Sequence, residues 1–154
     1  MANSLIEIKY DPPDLMQRFA SYPQEFDRGI SEAMNKALKE VQKKIGPYPP
    51  KREGQTYVRT GDLGRSLGMT MEGSIIGDAS IMKTRRAGVG NYIGTIGSKG
   101  IYYNIYVIGN GGDQAWMHVG RWDTMDVIAK RAEPAVLMTF EKAMAKLEKW
   151  LEGR

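Results

Sequence analysis

Phe26, Ile30, Ala33, Met34, Ala37, Leu38, Val41 and Ile45 recur at steps of three and four, while Lys36, Lys39, Glu40, Lys43 and Lys44 fall largely outside that stripe. The spacing predicts an amphipathic helix over 23–46 with one buried face. Ser21 and Gln24 have the separation of a capping box, with Pro23 in the first turn. Lys43 and Lys44 suit the negative end of the helix dipole, and Gly46-Pro47 stops the helix. A second stripe runs through Val127, Ile128, Ala132, Ala135, Val136, Phe140, Ala143, Met144, Leu147 and Leu151. It predicts a helix over 123–151 that starts at Asp123 or Thr124, carries Asp126 in its first turn, and kinks or restarts at Pro134.

Between and before the helices the period changes to two. Leu5-Ile6-Glu7-Ile8-Lys9-Tyr10 alternates apolar and polar side chains up to Pro12-Pro13, as an edge strand does, and a short helix follows over Asp14 to Ala20. Short apolar pieces separated by glycine occupy Ser66 to Glu72, Ser74 to Thr84, Asn91 to Gly97 and Ile101 to Gly109, which reads as a sheet. Gly97-Ser98-Lys99-Gly100 offers a turn, so Tyr92–Ile96 and Tyr102–Val107 are expected to pair as an antiparallel hairpin. In that strand Tyr102 and Tyr106 would share one face and Tyr103 the other.

The expected fold is α+β: an antiparallel β-sheet flanked by a long N-terminal helix and a kinked C-terminal helix. No repeat or linker divides the chain, so 1–154 reads as a single domain. Within it, 1–22 is an N-terminal arm with a strand and short helix, 23–46 a helix, 47–65 a loop, 66–122 the sheet with its loops, and 123–151 a helix.

Composition narrows the chemistry more than it defines it. At 154 residues and 42% apolar, the chain can bury roughly two thirds of its unfolded surface in one core. The absence of cysteine removes disulfides and thiolate chemistry. The first residues lack a secretion signal's pattern and no window approaches about 18 uninterrupted apolar residues, so a soluble, unexported protein with no membrane partner is expected. A net charge of +4 is compatible with nucleic acid nearby and too small to require it.

With a single histidine, His118, a histidine dyad or multi-histidine metal site within one chain is excluded. Its surroundings, Gln114 to Trp122, read as a polar corner anchored by Trp116 and Trp122. The glycine-rich run Arg59 to Ser66 lacks the lysine-serine or lysine-threonine ending of a P-loop, so Gly61 and Gly64 are expected to serve tight turns. Lys83-Thr84-Arg85-Arg86 reads as a basic strand end feeding a glycine-rich tip. Asp11 with Asp14, and Asp123 with Asp126, lack a calcium-loop pattern and read as capping and turn chemistry. No catalytic, cofactor or metal residues are assigned, and an enzyme is not expected.

One resemblance covers roughly residues 24 to 150. A helix ending in the loop Pro47-Tyr48-Pro49-Pro50, then Tyr57-Val58-Arg59-Thr60-Gly61-Asp62-Leu63 with Arg65-Ser66-Leu67, is followed by Thr95 to Ser98, Tyr103 and Tyr106-Val107, Gln114 with His118 to Trp122, and a helix carrying Glu133-Pro134. The series resembles the small tail-completion and head-tail joining proteins of long-tailed bacteriophages, the virion-morphogenesis or minor-tail group. The resemblance implies family-motif roles for Tyr57, Arg59, Thr60, Gly61, Leu63, Ser66, His118, Arg121 and Trp122. It also implies a homo-oligomeric ring of about six copies closed by a head-to-tail interface. The ring would sit at the virion neck or tail end, made in the host bacterial cytoplasm and meeting connector, adaptor and tail-tube proteins. Lys83, Arg85, Arg86, Tyr103 and Tyr106 are expected at subunit contacts or the lumen, where channel DNA passes. The competing expectation is a small basic nucleic-acid-binding protein using Arg59, Arg65, Lys83, Arg85 and Arg86.

Overall fold

The apolar stripe from Phe26 to Val41 becomes helix α1 (Pro23–Lys44), with Phe26, Ile30, Ala33, Met34, Ala37, Leu38 and Val41 all buried. The structure is a computed structural model that describes residues 5–10, 19–56, 60–71, 74–75, 79–87 and 91–153. Tyr22, not Ser21, occupies the N-cap and makes no side-chain cap, so the expected capping box does not form. The chain enters through a turn closed by Tyr22 N–H on the Phe19 carbonyl at 2.8 Å, and this moves the helix start one residue beyond Ser21. Glu25 still supplies negative charge to the first turn, and Gly46, at φ +81°, ends the helix.

The remaining elements are β1 (Leu5–Tyr10), helix α2 (Asp62–Leu67), β2 (Thr70–Met71), β3 (Ser74–Ile75), β4 (Ile81–Arg86), β5 (Tyr92–Gly97), helix α3 (Asn104–Ile108), a 3-10 turn (Gly111–Asp113) and helix α4 (Met125–Glu152). The architecture is α+β. A three-stranded antiparallel sheet has the order β1-β5-β4, and β2 with β3 forms a separate small ladder. Register aligns Ile6, Ile96 and Met82 in one row, Ile8, Gly94 and Thr84 in the next, and Tyr10, Tyr92 and Arg86 in a third. The first two rows and the Tyr92–Arg86 pair face α1, because Thr84 donates to the Asn35 side chain at 2.9 Å and Arg86 pairs with Asp27 at 2.9 Å. Alternation sends Glu7, Lys9, Ile93, Thr95, Lys83 and Arg85 to the opposite face.

Helix α1 lies over β5 and β4, while α4 lies alongside α1 and over β1. Two apolar clusters result. Leu38, Val41 and Ile45 meet Leu63, Leu67, Ile96, Val107, Ile108, Trp122, Met125 and Ile128 at one end. Phe26, Ile30 and Met34 meet Phe19, Tyr92, Phe140 and Leu147 at the other. The α4 cap is Thr124, whose hydroxyl accepts from Val127 N–H at 3.4 Å, whereas Asp123 is engaged by the Arg131 guanidinium at 2.5 and 3.0 Å. The expected restart at Pro134 is not seen: α4 is continuous, and Pro134 lies on its exposed side.

Two expected strands are helical in part. Ser66 belongs to α2, so the piece read as Ser66 to Glu72 reduces to β2. The hairpin of Tyr92–Ile96 with Tyr102–Val107 does not form, because both edges of β5 are taken by β1 and β4. Ile101 to Gly109 instead turns into α3, with Asn104, Val107 and Ile108 buried at helical spacing inside an aromatic, β-branched run. Of the piece read as Ser74 to Thr84, β3 and the first part of β4 are strand, and residues 76–78 lie outside the described residues. Most of the expected Asp14 to Ala20 helix lies outside them too; Phe19 and Ala20 form a turn.

Gly94 has no room for a side chain. A Cβ there would stand 2.5 Å from Met34 Sδ and 3.2 Å from Leu38 Cδ2, and both side chains are fully buried. Gly94→Val should therefore destabilise the fold by about 1–3 kcal/mol through overpacking. Urea unfolding checks this as a lower midpoint at unchanged slope.

Candidate interaction site

The motif residues converge on one cleft. Gly61 (φ +73°) adopts the left-handed backbone conformation that glycine tolerates and leads into α2; Gly64, by contrast, is an ordinary buried helical residue and serves no turn. Arg65 Nη2 donates to the Thr60 carbonyl at 2.6 Å and to Asp62 Oδ1 at 2.5 Å, folding this flank back on itself. The Thr60 hydroxyl and Arg65 hold the Asp62 carboxyl below its ordinary value. Leu63 turns inward. Ser66 shares a hydroxyl hydrogen bond with Ser98 at 2.6 Å, and its carbonyl accepts from Ser80 N–H at 2.7 Å, tying α2 to both strands at one end of the β4–β5 pair, where Ile81 lies opposite Gly97.

The opposite wall comes from the loop after α3. Gln114 Nε2 donates to the carbonyls of Val107 at 2.7 Å and Trp122 at 2.9 Å, clamping the loop shut. Trp122 is buried, with its ring edge-on to Tyr48 at 5.1 Å, and His118 stands 6.4 Å from the same indole. Arg121 Nη2 reaches the Pro50 carbonyl at 2.6 Å and Arg52 Nη2 the Met117 carbonyl at 3.3 Å, so the proline loop and the histidine loop hold each other by exchanged arginines.

Together Tyr48, Arg52, Gln55, Thr60, Leu63, Tyr103, Val107, Met117, His118, Arg121 and Trp122 line a cleft of about 370 Å³. A larger furrow of about 490 Å³ lies between α1 and α4, but its walls are mixed charges such as Glu32, Lys36, Lys142 and Lys146, and it gathers none of the motif residues. Thr60, Leu63, His118, Arg121 and Trp122 all enter the cleft; Gly61 and Ser66 support it from α2. Tyr57 and Arg59 lie outside the described residues.

The basic and aromatic residues separate. Lys83 and Arg85 lie exposed on the sheet face opposite α1, whereas Arg86 points to the other side and pairs with Asp27, which also accepts the Tyr92 hydroxyl. One basic tip is thus two opposed features, because strand alternation divides consecutive residues. Tyr102 and Tyr106 are both exposed, at 82% and 59%, while Tyr103 lines the cleft with its ring edge-on to Tyr102 at 5.6 Å. Tyr106 lies in α3 and Tyr102 in the turn before it, so neither belongs to a strand. Trp116, expected as an anchor, is 81% exposed, and Val119 is 61% exposed. Sequence reasoning left Tyr48, Arg52, Gln55 and Val107 unassigned; an aromatic set among three prolines, Pro47-Tyr48-Pro49-Pro50, was the available signal.

Among the described residues no group of three or more histidine, aspartate or glutamate side chains could hold a metal ion, and no helix is long and apolar enough to cross a membrane. Burial raises the Tyr103 phenol above its ordinary value, with the Asp62 carboxylate adding to the shift and bonds to Thr60 and the Leu63 backbone opposing it. A proton bound more tightly in the folded state gives stability that is present below the unfolded value of about 10 and is lost as pH rises beyond it. Tyr103→Phe should therefore flatten the alkaline fall in unfolding free energy, measured as urea midpoints across that range. No family model, curated protein or solved structure matches the chain.

Proposed function

We propose that this protein is a structural virion component of a tailed bacteriophage, assembling as a homo-oligomeric ring at the head-tail junction or tail end. The observation that carries the reading is an exposed apolar belt on the segment that also builds the cleft. Tyr102, Tyr106, Trp116, Met117 and Val119 all face solvent, and Ala115 N–H on the Tyr106 carbonyl, at 2.8 Å, draws the two halves of the segment together. Clustered exposed aromatics have a desolvation incentive that a monomer leaves unmet, and they are enriched where proteins meet.

A closed ring requires a second, different patch to receive the belt. The outer side of α4 offers one: Val127, Leu137 and Met138 are exposed around Pro134, away from the stripe that packs on α1. Connector and tail-tube proteins would then meet the ring's two ends.

Light scattering on the purified protein, alone or with neck proteins, should give a mass near six times the 17.2 kDa chain, with closed rings in negative-stain images. Tyr102→Ser combined with Trp116→Ser should shift it to monomer without loss of helical signal. Monomers under every one of these conditions would count decisively against the ring.

A second reading rests on the sheet face opposite α1, where Lys9, Lys83 and Arg85 are exposed around the buried Thr95, with Glu7 4.0 Å from Lys9. It makes the protein a small basic nucleic-acid-binding module. Tight duplex binding in gel shifts, lost between low and moderate salt and by Lys83→Ala with Arg85→Ala, would favour it over the ring; the first reading expects at most weak retardation.

A further inference from the structure

The cleft has a charge imbalance that ring closure does not use. Leu63, Val107, Met117, Trp122, Tyr48 and Tyr103 give it apolar surface, Gln55, Thr60 and His118 add neutral polar groups, and its two cationic lining residues are Arg52 and Arg121. The hydrogen bonds holding these two arginines go to backbone carbonyls, at Met117 and Pro50. Among the described residues, no ion pair joins either to a carboxylate, and none of the cleft's lining residues is acidic. A carbonyl offers a guanidinium only a partial charge and engages one of its five donors here, so two cations border the cleft without formal counter-charge.

We propose that the cleft is a docking site for an acidic peptide segment of a partner protein, one apolar side chain entering between Tyr48, Leu63, Val107 and Trp122 while flanking carboxylates meet Arg52 and Arg121. The volume of about 370 Å³ lies at the low end for ligand sites, roughly 300–1,000 Å³, which suits an anchoring side chain and its neighbours. Two arginines beside apolar and neutral polar surface fit that ligand better than a nucleic acid, whose affinity comes from a run of phosphate contacts along a cationic track. The proposal stands on the cleft alone and holds whether or not the protein forms a ring.

Fluorescence anisotropy of a short labelled peptide alternating glutamate and phenylalanine, titrated with the full chain, tests it. Saturable binding is expected, with the glutamine-for-glutamate peptide about tenfold or more weaker, the scale of a lost charge-assisted hydrogen bond. Arg52→Gln and Arg121→Gln should each weaken the acidic peptide comparably and reduce its salt dependence while barely changing the glutamine peptide. Arg121 also braces the Pro50 carbonyl; should its variant unfold, the exposed Arg52 carries the test, with circular dichroism reporting the fold. Equal affinity for the two peptides, no binding of either, or binding untouched by Arg52→Gln would overturn the proposal. So would displacement of the peptide by an oligothymidylate at lower concentration, which would assign the cleft to single-stranded nucleic acid. Anisotropy reads the cleft in whichever oligomer is present, so a protein that stays monomeric still gives an answer.

Discussion

The close approach of α1 to β5 at Gly94 is the contact from which the other layers follow. Met34 and Leu38 occupy the space a side chain at Gly94 would take, which lets the helix settle directly on the central strand. Ile30, Met34 and Leu38 are fully buried, each worth about 1.5–3 kcal/mol of apolar burial. The Arg86–Asp27 and Arg131–Asp123 ion pairs are about half exposed, and such pairs contribute about 0–1 kcal/mol. Packing therefore sets the position of α1 on the sheet, and the ion pair and the Tyr92–Asp27 hydrogen bond select its orientation.

With α1 held in place, its two halves do different things. The N-terminal half closes a cluster with α4 and Tyr92 that has no part in the cleft. The C-terminal half shares a cluster with Leu63, Val107, Trp122 and Ile128, the residues that form the back of the cleft or support it. The cleft is thus the outer surface of a core, and its walls are loops positioned by a rigid scaffold, the usual division between packing and recognition. Those loops are held by side chains bonding backbone carbonyls: Gln114 to Val107 and Trp122, Arg121 to Pro50, Arg52 to Met117. Recognition at such a site comes from charge and shape.

Much of the scaffold was legible from period alone. The stripe in α1 needs only the 3.6-residue repeat, and its buried face agrees residue by residue; β1 was visible as an alternating edge strand with the bounds observed. The α4 stripe was legible except at Val127, which is exposed beside a buried Ile128. The cleft was half legible. Thr60, Leu63, His118, Arg121 and Trp122 stood out, yet nothing local said that Tyr48 and Arg52 would meet them across the fold.

The errors share a cause. Ile101 to Val107 has the aromatic and β-branched composition of a strand, yet it turns into helix α3 because one side of β5 is taken by the preceding strand β4 and the other by β1, distant in sequence. Ser66 looked like the start of a strand because the glycines around α2 hide a single helical turn. Trp116 looked like an anchor because burial of an aromatic is the common outcome, and only the path of the loop turns it outward.

By itself, then, the sequence determined the two long helices, their buried faces, the N-terminal edge strand and the α+β class, since each follows from a repeat that the chain carries locally. Tertiary structure alone decided that β1 takes the second side of β5, that Ile101 to Gly109 is kept out of the sheet, and that two arginines from separate loops share one cleft. Those outcomes depend on strand neighbours and loop paths set by long-range packing, and no local period encodes them.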